Sequence, residues 1–416
     1  MEQDSMYFAR DAVFTGDPEK TGLNSNAIVV GASGSGKTMS VIAPRLLHSA
    51  NDSMIVTVAK RSLVRKYSAL LRKRGYRVLD LNLADPADGS SCSFDPMKYC
   101  SSSSQDLMYL ANSILLSNPR KEHSAADPYW DDMAAMVLTA VMELERAENP
   151  NASIADVVET VLSFDLLPSS TVSVCSGLDQ RFRKPEYRNT GFVRKWNAFR
   201  SLPAKTASCC FSALTSALNN LFSEEMLEMM RSDKYEAVDF SRLSMEKTVL
   251  FVTTGVADPI LNRFTALFFS LAFKTLFSLA EANPDGKLKR PVAVLYDDFG
   301  AGGCAVQSFS EFLSVSREKN ISITVLLQDE SQLESVYGRQ TGTIISNFDS
   351  YVFMGSNDLL TCEHIARRLS TKLDDVLYMP LGAVIVFRRG ARPLYSVRYP
   401  LTEDELYRKE MMQHEP

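Results

Sequence analysis

The octapeptide GASGSGKT, residues 31–38, constrains the fold of this chain more than any other feature of its sequence. It matches the pattern G-x-x-x-x-G-K-[ST] in full, and the apolar run NAIVV at 26–30 stands directly before it. Glycines let the backbone curl with its N–H groups pointing inward, and the N-terminus of a following helix favours negative charge. The segment therefore predicts a strand, a phosphate-binding loop and a helix in succession.

The residue types of this loop predict binding of ATP with Mg²⁺. Lys37 is expected to reach the β- and γ-phosphates, and the hydroxyl of Thr38 is expected to bind Mg²⁺. A flexible Gly/Ser turn is the alternative, and it fits less well because the pattern is complete and lies between a predicted strand and helix. The predicted nucleotide-binding residues are Gly31, Ala32, Ser33, Gly34, Ser35, Gly36, Lys37, Thr38 and Met39.

A second polar site follows the apolar strand VAVLY at 292–296, where Asp297 and Asp298 stand side by side. Adjacent carboxylates repel each other, so they need a positive charge nearby. In phosphate-loop enzymes an acid at the end of a second strand helps to hold Mg²⁺. We expect Asp297 to do this with Thr38, and Asp298 to orient or deprotonate the attacking water. The alternative is an ordinary strand end with two solvated acids.

The order of predicted elements indicates an α/β fold with a mostly parallel central sheet. Strands and helices alternate at first, then a long helical stretch follows, and the alternation resumes near the strand KTVLFVTTG at 247–255. We therefore predict one nucleotide-binding domain, interrupted by an all-α insertion. Its first part is 1–100, the all-α domain is 101–246, and its second part is 247–416.

Composition limits the cellular compartment and the kinds of binding site that we expect for this chain. The chain has 416 residues and a net charge of −5, so any site for a polyanion must be a local patch. Seven cysteines without a C-x-x-C pair favour a cytosolic compartment and disfavour zinc. The N-terminus lacks the pattern of a signal peptide. The apolar stretch 264–280 contains Lys274 and is shorter than the ~20 residues of a membrane span, so we predict a core helix.

An ordered set of segments resembles the TraG/TraD-like coupling proteins of type IV secretion. After the phosphate loop come DPYWDDMAAMVLTAVM, LYDDFGAGG, SREKNISITVLLQDESQL and IISNFDSYVFMGSND. The chain departs from the family in three ways. Asp298 replaces the usual Glu, the stretch VAKRS keeps only Lys60 of an Asp-Pro-Lys-Gly segment, and the N-terminal transmembrane helices common in the family are missing from the sequence.

The resemblance implies a RecA-like P-loop ATPase that acts as a hexameric ring. Its expected partners are DNA, taken as single-stranded, a relaxase and other type IV secretion components. Arg317 would be an arginine finger reaching a neighbouring subunit, and Gln328 would sense the γ-phosphate or position water. The alternatives are a surface arginine and a polar residue at a strand end. The expected location is the cytoplasm, peripheral to the inner face of the membrane and attached through partners.

We predict an ATP-hydrolysing coupling protein or DNA translocase whose turnover is stimulated by DNA. One alternative is an ATP-gated adaptor that docks a relaxase or effectors without pumping DNA. Another is a FtsK/HerA-like DNA translocase unrelated to secretion. The segment 181–205 combines basic and aromatic residues and is a candidate DNA contact. Its alternative is a solvated helical face over a local core.

Overall fold

The computed structural model describes residues 3–86, 88, 90–118, 128–164, 177–232, 234–255, 258–301 and 304–411. Eleven strands lie in these residues, and nine of them form one sheet. The strands are β1 (Met6–Ala9), β2 (Ala12–Phe14), β3 (Ala27–Val30), β4 (Ser53–Val58), β5 (Arg77–Asn82), β6 (Thr248–Thr253), β7 (Val292–Tyr296), β8 (Ile321–Leu327), β9 (Ser350–Phe353), β10 (Ala383–Arg388) and β11 (Leu394–Val397).

The helices of the described residues flank this sheet or follow one another between β5 and β6. They are α1 (Pro18–Thr21), α2 (Ala43–Leu47), α3 (Ser62–Lys73), α4 (Ser104–Leu116), α5 (Pro128–Glu148), α6 (Ile154–Leu162), α7 (Gly177–Phe182), α8 (Gly191–Arg200), α9 (Ala204–Asn219), α10 (Glu224–Arg231), α11 (Phe240–Leu243), α12 (Pro259–Glu281), α13 (Phe309–Val315), α14 (Glu330–Tyr337), α15 (Thr341–Ser346), α16 (Leu359–Leu369), α17 (Leu373–Leu377) and α18 (Glu405–Glu410). Short 3₁₀ or π segments are Thr38–Ile42, Pro96–Tyr99, Pro185–Tyr187, Ser316–Lys319, Gly338–Gln340 and Leu401–Glu403.

The strand order of the large sheet is β11-β10-β9-β3-β8-β7-β4-β6-β5. Every neighbouring pair from β9 to β5 is parallel, whereas β10 is antiparallel to both β9 and β11. The predicted α/β fold with a mostly parallel sheet is thus confirmed. Because β3, β8 and β7 are adjacent and parallel, their carboxyl ends meet at one edge, where ligands bind in such sheets.

The central strands are apolar on both faces because helices cover both sides of the sheet. All residues of β3, β4, β6 and β7 are buried. This burial explains why the sequences of these strands are continuous apolar runs and do not alternate between apolar and polar residues. The small hairpin of β1 and β2 was not predicted, because strands of four and three residues are too short to give a periodic signal.

Between β5 and β6 the described residues form helices and connecting loops, and their β-structure is limited to one isolated bridge between Ser93 and Ala237. The aromatic ring of Phe94 packs 4.6 Å from Tyr99 and 4.8 Å from Phe268 of α12, measured between ring centroids. The helices therefore share a hydrophobic core with the sheet's own helices. The domain boundaries at 100 and 246 stay predictions.

Helix α12 contains the apolar stretch that we predicted as a core helix. The carboxylate of Asp258 caps its N-terminus by accepting from the backbone N–H of Ile260, and Pro259 occupies the first turn. By length and composition the helix could cross a membrane, but 72% of its most apolar window is buried inside the protein. Its apolar side chains are thus occupied by packing within the fold.

Candidate active site

The phosphate loop leaves the carboxyl end of β3 and is held by neighbouring loops. The N–H of Ala32 donates to the carbonyl of Gly355 at 2.8 Å, and the N–H of Ser35 donates to the carbonyl of Ala32 at 3.1 Å. Gly34 and Gly36 have φ angles of 77° and 85°, which side chains disfavour. The loop runs into the segment Thr38–Ile42, so the predicted strand, loop and helix follow one another as expected.

The ammonium group of Lys37 lies inside the loop. It donates to the carbonyl oxygen of Gly31 at 2.5 Å and to that of Ala32 at 3.3 Å. Burial lowers the pKa of Lys37, and the carboxylates of Asp297, Asp298 and Asp329 oppose that shift. The lysine is thus a desolvated cation whose hydrogen-bond partners, among the described residues, are carbonyl groups of the loop, which suits it to a phosphate ligand.

Thr38 and Asp297, the two residues of the predicted metal site, are in direct contact, and their role as metal ligands stays a prediction. The Thr38 hydroxyl donates to Asp297 Oδ2 at 2.5 Å. Burial raises the pKa of Asp297, while the Thr38 hydroxyl and Lys37 act in the opposite direction. A divalent cation fits this pair, since a hydroxyl and a buried carboxylate are hard oxygen donors.

Further ligands for such a cation would have to come from outside the protein. Among the described residues, no group of three or more His, Cys, Asp or Glu side chains could hold a metal ion. Mg²⁺ commonly keeps several waters and takes phosphate oxygens together with one or two protein groups. The pair of Thr38 and Asp297 therefore resembles a nucleotide-dependent Mg²⁺ site more than a permanent metal centre.

Thr57 supports Asp297 from β4, the strand adjacent to β7. The backbone N–H of Asp297 donates to Thr57 Oγ1 at 2.6 Å, and the Thr57 hydroxyl lies 3.2 Å from the Asp297 carbonyl. Sequence reasoning missed this residue. The available signal was a hydroxyl near the end of the otherwise apolar run SMIVTV.

Asp298 adopts a backbone conformation that non-glycine residues rarely use. Its φ angle is 51°, and its N–H donates to Asp297 Oδ1 at 3.1 Å. Strained backbone of this kind is found where the surrounding structure fixes a side chain for function. Asp298 is half-buried, and the charge of its carboxylate acts on Lys37, so its role in orienting water stays a prediction.

Gln328 and Asp329 stand at the carboxyl end of β8, between the ends of β3 and β7. Gln328 is exposed, and its N–H donates to Gln332 Oε1 at 3.2 Å. Asp329 caps α14 by accepting from the N–H of Gln332 at 2.8 Å. The negative charge of its carboxylate also acts to raise the pKa of Lys37, against the effect of burial. The structure thus brings Gln328 to the phosphate edge, and adds Asp329, which sequence reasoning did not single out.

Arg317 lies at the opposite end of the sheet. It belongs to the short segment Ser316–Lys319 before β8, and it donates to the carbonyl of Gly22 at 2.8 Å. Within one subunit it is therefore separated from the phosphate loop by the length of β8. Its role as a finger toward a neighbouring subunit stays a prediction.

Arg398 is a further residue of the loop that sequence reasoning missed. It follows β11, and one guanidinium nitrogen donates to the carbonyl of Ser35 at 3.3 Å. A side chain at Gly36 would approach that guanidinium to 2.9 Å, and one at Gly382 would approach it to 3.3 Å. The arginine is thus packed over two glycines and supports the phosphate loop from outside. No local sequence signal identifies it.

The aromatic residues of segment 181–205, the candidate DNA contact, lie mainly in the hydrophobic core of the helical region. Its aromatic residues Phe182, Phe192, Trp196 and Phe199 are buried, and the rings of Phe182 and Trp196 stack with centroids 4.4 Å apart. Several of its cations pair with acids inside the helical region, among them Arg181 with Glu145 and Glu148, Lys195 with Glu143, and Arg200 with Asp179. The alternative interpretation, a helical face over a local core, therefore describes these aromatic residues better than base stacking.

Comparisons with known proteins place these features in a family. A sequence profile described as "Type IV secretory system Conjugative DNA transfer" matches residues 2–372. The match favours this family over the FtsK/HerA-like alternative. No curated protein sequence matches the chain.

Solved structures with low sequence identity share the fold. The bacterial conjugative coupling protein TrwBdeltaN70 in its unbound form is 16% identical, with 90% of this chain and 84% of that chain covered and a TM-score of 0.66. TrwB in complex with ADP and Mg²⁺ is 17% identical, with 90% and 84% covered and a TM-score of 0.65. VirB4 of Thermoanaerobacter pseudethanolicus is 12% identical, with 95% and 96% covered and a TM-score of 0.55.

Proposed function

The chain belongs to the conjugative DNA-transfer family of type IV secretory systems, and from this premise we propose that it hydrolyses ATP to move or recruit DNA. The observation that carries the proposal is the contact between Thr38 and Asp297 beside the phosphate loop. The two side chains supply two oxygen ligands for Mg²⁺ at the carboxyl edge of the sheet. Phosphate-loop enzymes hold the Mg²⁺ of ATP with the same kinds of ligand. A structural relative, TrwB, has been solved with ADP and Mg²⁺, which supports the same ligands here.

We assign the following roles to the residues of this site. Backbone N–H groups of residues 31–38 surround the phosphates, and the ammonium of Lys37 moves from the carbonyls of Gly31 and Ala32 to the phosphate oxygens. Thr38 and Asp297 hold Mg²⁺, which when bound neutralises charge that develops on the phosphates. Asp298 orients water for attack, and Gln328 lies at the strand end between the two halves of the site.

The active assembly proposed here is a homo-oligomeric ring with DNA, a relaxase and other secretion components as partners. In such a ring, Arg317 from one subunit would complete the site of the next. An arginine is suited to this, because its guanidinium remains charged and stabilises transition-state charge on phosphate. The helical region between β5 and β6 would then be the part that contacts partners.

ATP turnover by the full chain, with and without single-stranded DNA, tests the proposal. We expect Mg²⁺-dependent turnover that rises with DNA and is lost in Lys37→Ala. The matched control is Lys409→Ala, which removes an exposed lysine on α18. Turnover that survives Lys37→Ala contradicts the assignment of the site. Nucleotide binding without DNA-stimulated turnover would instead favour the ATP-gated adaptor.

A further inference from the structure

A cleft of about 580 Å³ opens at the edge of the sheet opposite the phosphate loop. Its walls come from α15, α16 and the strands β9 and β10. Ser350 at the start of β9 pairs with Arg388 at the end of β10, whereas the loop follows the other end of these strands. The cleft is therefore separate from the nucleotide site. Its acidic and basic lining residues are Asp349, His364, Arg368, Arg388 and Arg389.

Arg368 is fixed in this cleft by two aromatic rings. The central guanidinium carbon lies 4.7 Å from the ring centroid of Tyr351 and 4.2 Å from that of Phe387. Those two rings are buried and meet at 82°, so the guanidinium occupies the corner between them. The side chain as a whole remains exposed and lines the cleft. The cation is therefore rigidly placed, which lowers the entropy lost when a ligand binds.

The donors on the edge of Arg368 lack an acceptor in the part of the chain that the structure describes. The nearest acid is Glu330, whose carboxylate is engaged by the Tyr351 hydroxyl at 2.7 Å and by His364 Nδ1 at 2.7 Å. Burial lowers the pKa of Arg368, with Tyr351 and Glu330 acting in the opposite direction. A guanidinium stays charged, and its solvent-exposed donors can exchange water for an anionic ligand.

The remaining charges of the cleft add to the positive potential. Asp349, the one acid among the lining residues, accepts from Arg389 Nε at 2.8 Å and from the N–H of Asn24 at 2.6 Å. Its charge is therefore already balanced by Arg389. The guanidinium of Arg388 lies 4.1 Å over the ring of Phe14, so this cation also has no carboxylate in direct contact among the described pairs. An anion that enters the cleft meets net positive charge.

We propose that this cleft is a binding site for the phosphodiester backbone of single-stranded nucleic acid, with Arg368 as its principal contact. A guanidinium that presents its edge donates two parallel hydrogen bonds to one phosphate. The volume of the cleft admits a nucleotide unit and not only an isolated anion. Nucleic acid is the favoured ligand over an acidic peptide because the chain belongs to a DNA-transfer family. The inference rests on the proposed function.

The test is a salt titration of single-stranded DNA binding by the full chain, measured by fluorescence anisotropy with saturating ADPNP and Mg²⁺. The nucleotide keeps DNA phosphates out of the phosphate loop. We expect Arg368→Gln to weaken binding about tenfold at low salt. The slope of log K against log salt should become shallower by about 0.7, which is the value for one phosphate contact. Arg368→Lys should keep the slope and lose part of the affinity, since lysine keeps the charge without the planar fork.

Arg367→Gln is the matched control, because Arg367 directly precedes Arg368 in α16, has a side chain that is 79% exposed, and pairs with Glu363. It should leave affinity and slope unchanged, and thermal melting should show that all variants are folded. Equal slopes for Arg368→Gln and wild type would overturn the site. A loss of polyglutamate binding with full DNA binding would assign a carboxylate ligand and also overturn it. If wild type itself does not bind DNA, the proposed function fails instead.

Discussion

The hydroxyl of Thr38 donates a 2.5 Å hydrogen bond to the carboxylate of Asp297, a residue 259 positions further along the chain. The contact joins the phosphate loop to the strand β7, although β8 lies between β7 and β3 in the sheet. The phosphate loop and the acidic end of β7, which were two separate predictions from the sequence, therefore lie next to each other. The chemistry of this site supports several quantitative expectations.

Replacing the charge of Asp297 should affect turnover more than nucleotide binding. Asp297→Asn keeps the size of the side chain and an oxygen near Thr38, but it removes the negative charge that would hold a divalent cation. We expect ATP turnover to fall by about 100-fold or more, because metal stabilisation of phosphate charge is worth several kcal/mol. Steady-state kinetics at varied Mg²⁺ measures this. Asp285→Asn, at an exposed acid, is the control, and equal effects of the two substitutions would contradict the metal role.

Asp298 offers a test of the water-orienting role. Asp298→Asn should reduce turnover by about 10²–10⁴-fold if the carboxylate acts as a general base. Asp298→Glu restores the residue usual in the resembled family and should retain measurable turnover. Single-turnover kinetics separates this chemical step from product release. An Asn variant that hydrolyses ATP at the rate of wild type would exclude the role.

The contact of Arg398 with the phosphate loop should affect the affinity for nucleotide. Without its guanidinium, the carbonyl of Ser35 loses a charged donor and the loop loses a packing partner at Gly36. We expect Arg398→Ala to raise KM for ATP by about tenfold, equivalent to one hydrogen bond with a charged group, with a smaller change in kcat. Arg339→Ala removes an exposed arginine after α14 and serves as the comparison. An unchanged KM in Arg398→Ala would show that the contact is incidental.

Asp95 should make the stability of the protein depend on pH. Burial raises its pKa to about 6, and backbone N–H groups of Ile154 and Met97 oppose the shift. The folded state then binds a proton more tightly than the unfolded state, so Asp95 adds stability below the ordinary carboxyl pKa. That stability is lost as pH rises through about 6.

Asp95→Asn removes this titration and isolates its contribution. A shift of about two pKa units corresponds to ~3 kcal/mol. The free energy of unfolding of wild type, relative to the Asn variant, should therefore rise by that order as pH falls from 7 to 4. Urea denaturation at several pH values measures the difference. Parallel pH curves for the two proteins would show that Asp95 does not titrate as its burial implies.

Trp196 should stabilise the helical region and leave DNA affinity unchanged. Its indole N–H donates to Asp179 Oδ1 at 2.9 Å, and its side chain is buried. Trp196→Phe keeps an aromatic ring but removes the donor, so we expect a loss of about 1–3 kcal/mol in unfolding free energy. DNA anisotropy should not change in this variant or in Trp196→Leu, which removes the ring, whereas losing a ring that stacks on a base costs about 1–3 kcal/mol of binding. Weaker DNA binding by a folded variant would restore the stacking interpretation.

The sequence could predict the parts of the site that local rules determine. Gly34 and Gly36 are required by backbone conformation, Lys37 and Thr38 follow them at a fixed spacing, and Asp297 ends an apolar strand. Each of these features is visible within about ten residues, so the fold class and the proximity of Thr38 to Asp297 could be inferred together.

The other contacts depend on the strand order, which no local pattern encodes. Arg398 meets Ser35 because the antiparallel strand β10 returns the chain, so that β11 runs in the direction of β9 and ends at the edge where the phosphate loop lies. Similarly, Thr57 meets Asp297 because β4 is the neighbour of β7. The cations of 181–205 find acids on α5, such as Glu145 for Arg181, and a single segment cannot reveal such pairing.

The strand order also governs when this protein can acquire its shape during synthesis. β3 and β4 follow each other in the chain, yet β8 and β7 separate them in the sheet. When the ribosome has made only the first 100 residues, β3 has neither of its partners, β8 and β9, and β4 has neither β6 nor β7. β3 lacks its last partner until residue 353 has emerged, so nascent chains and shorter truncations would present unpaired strand edges to chaperones.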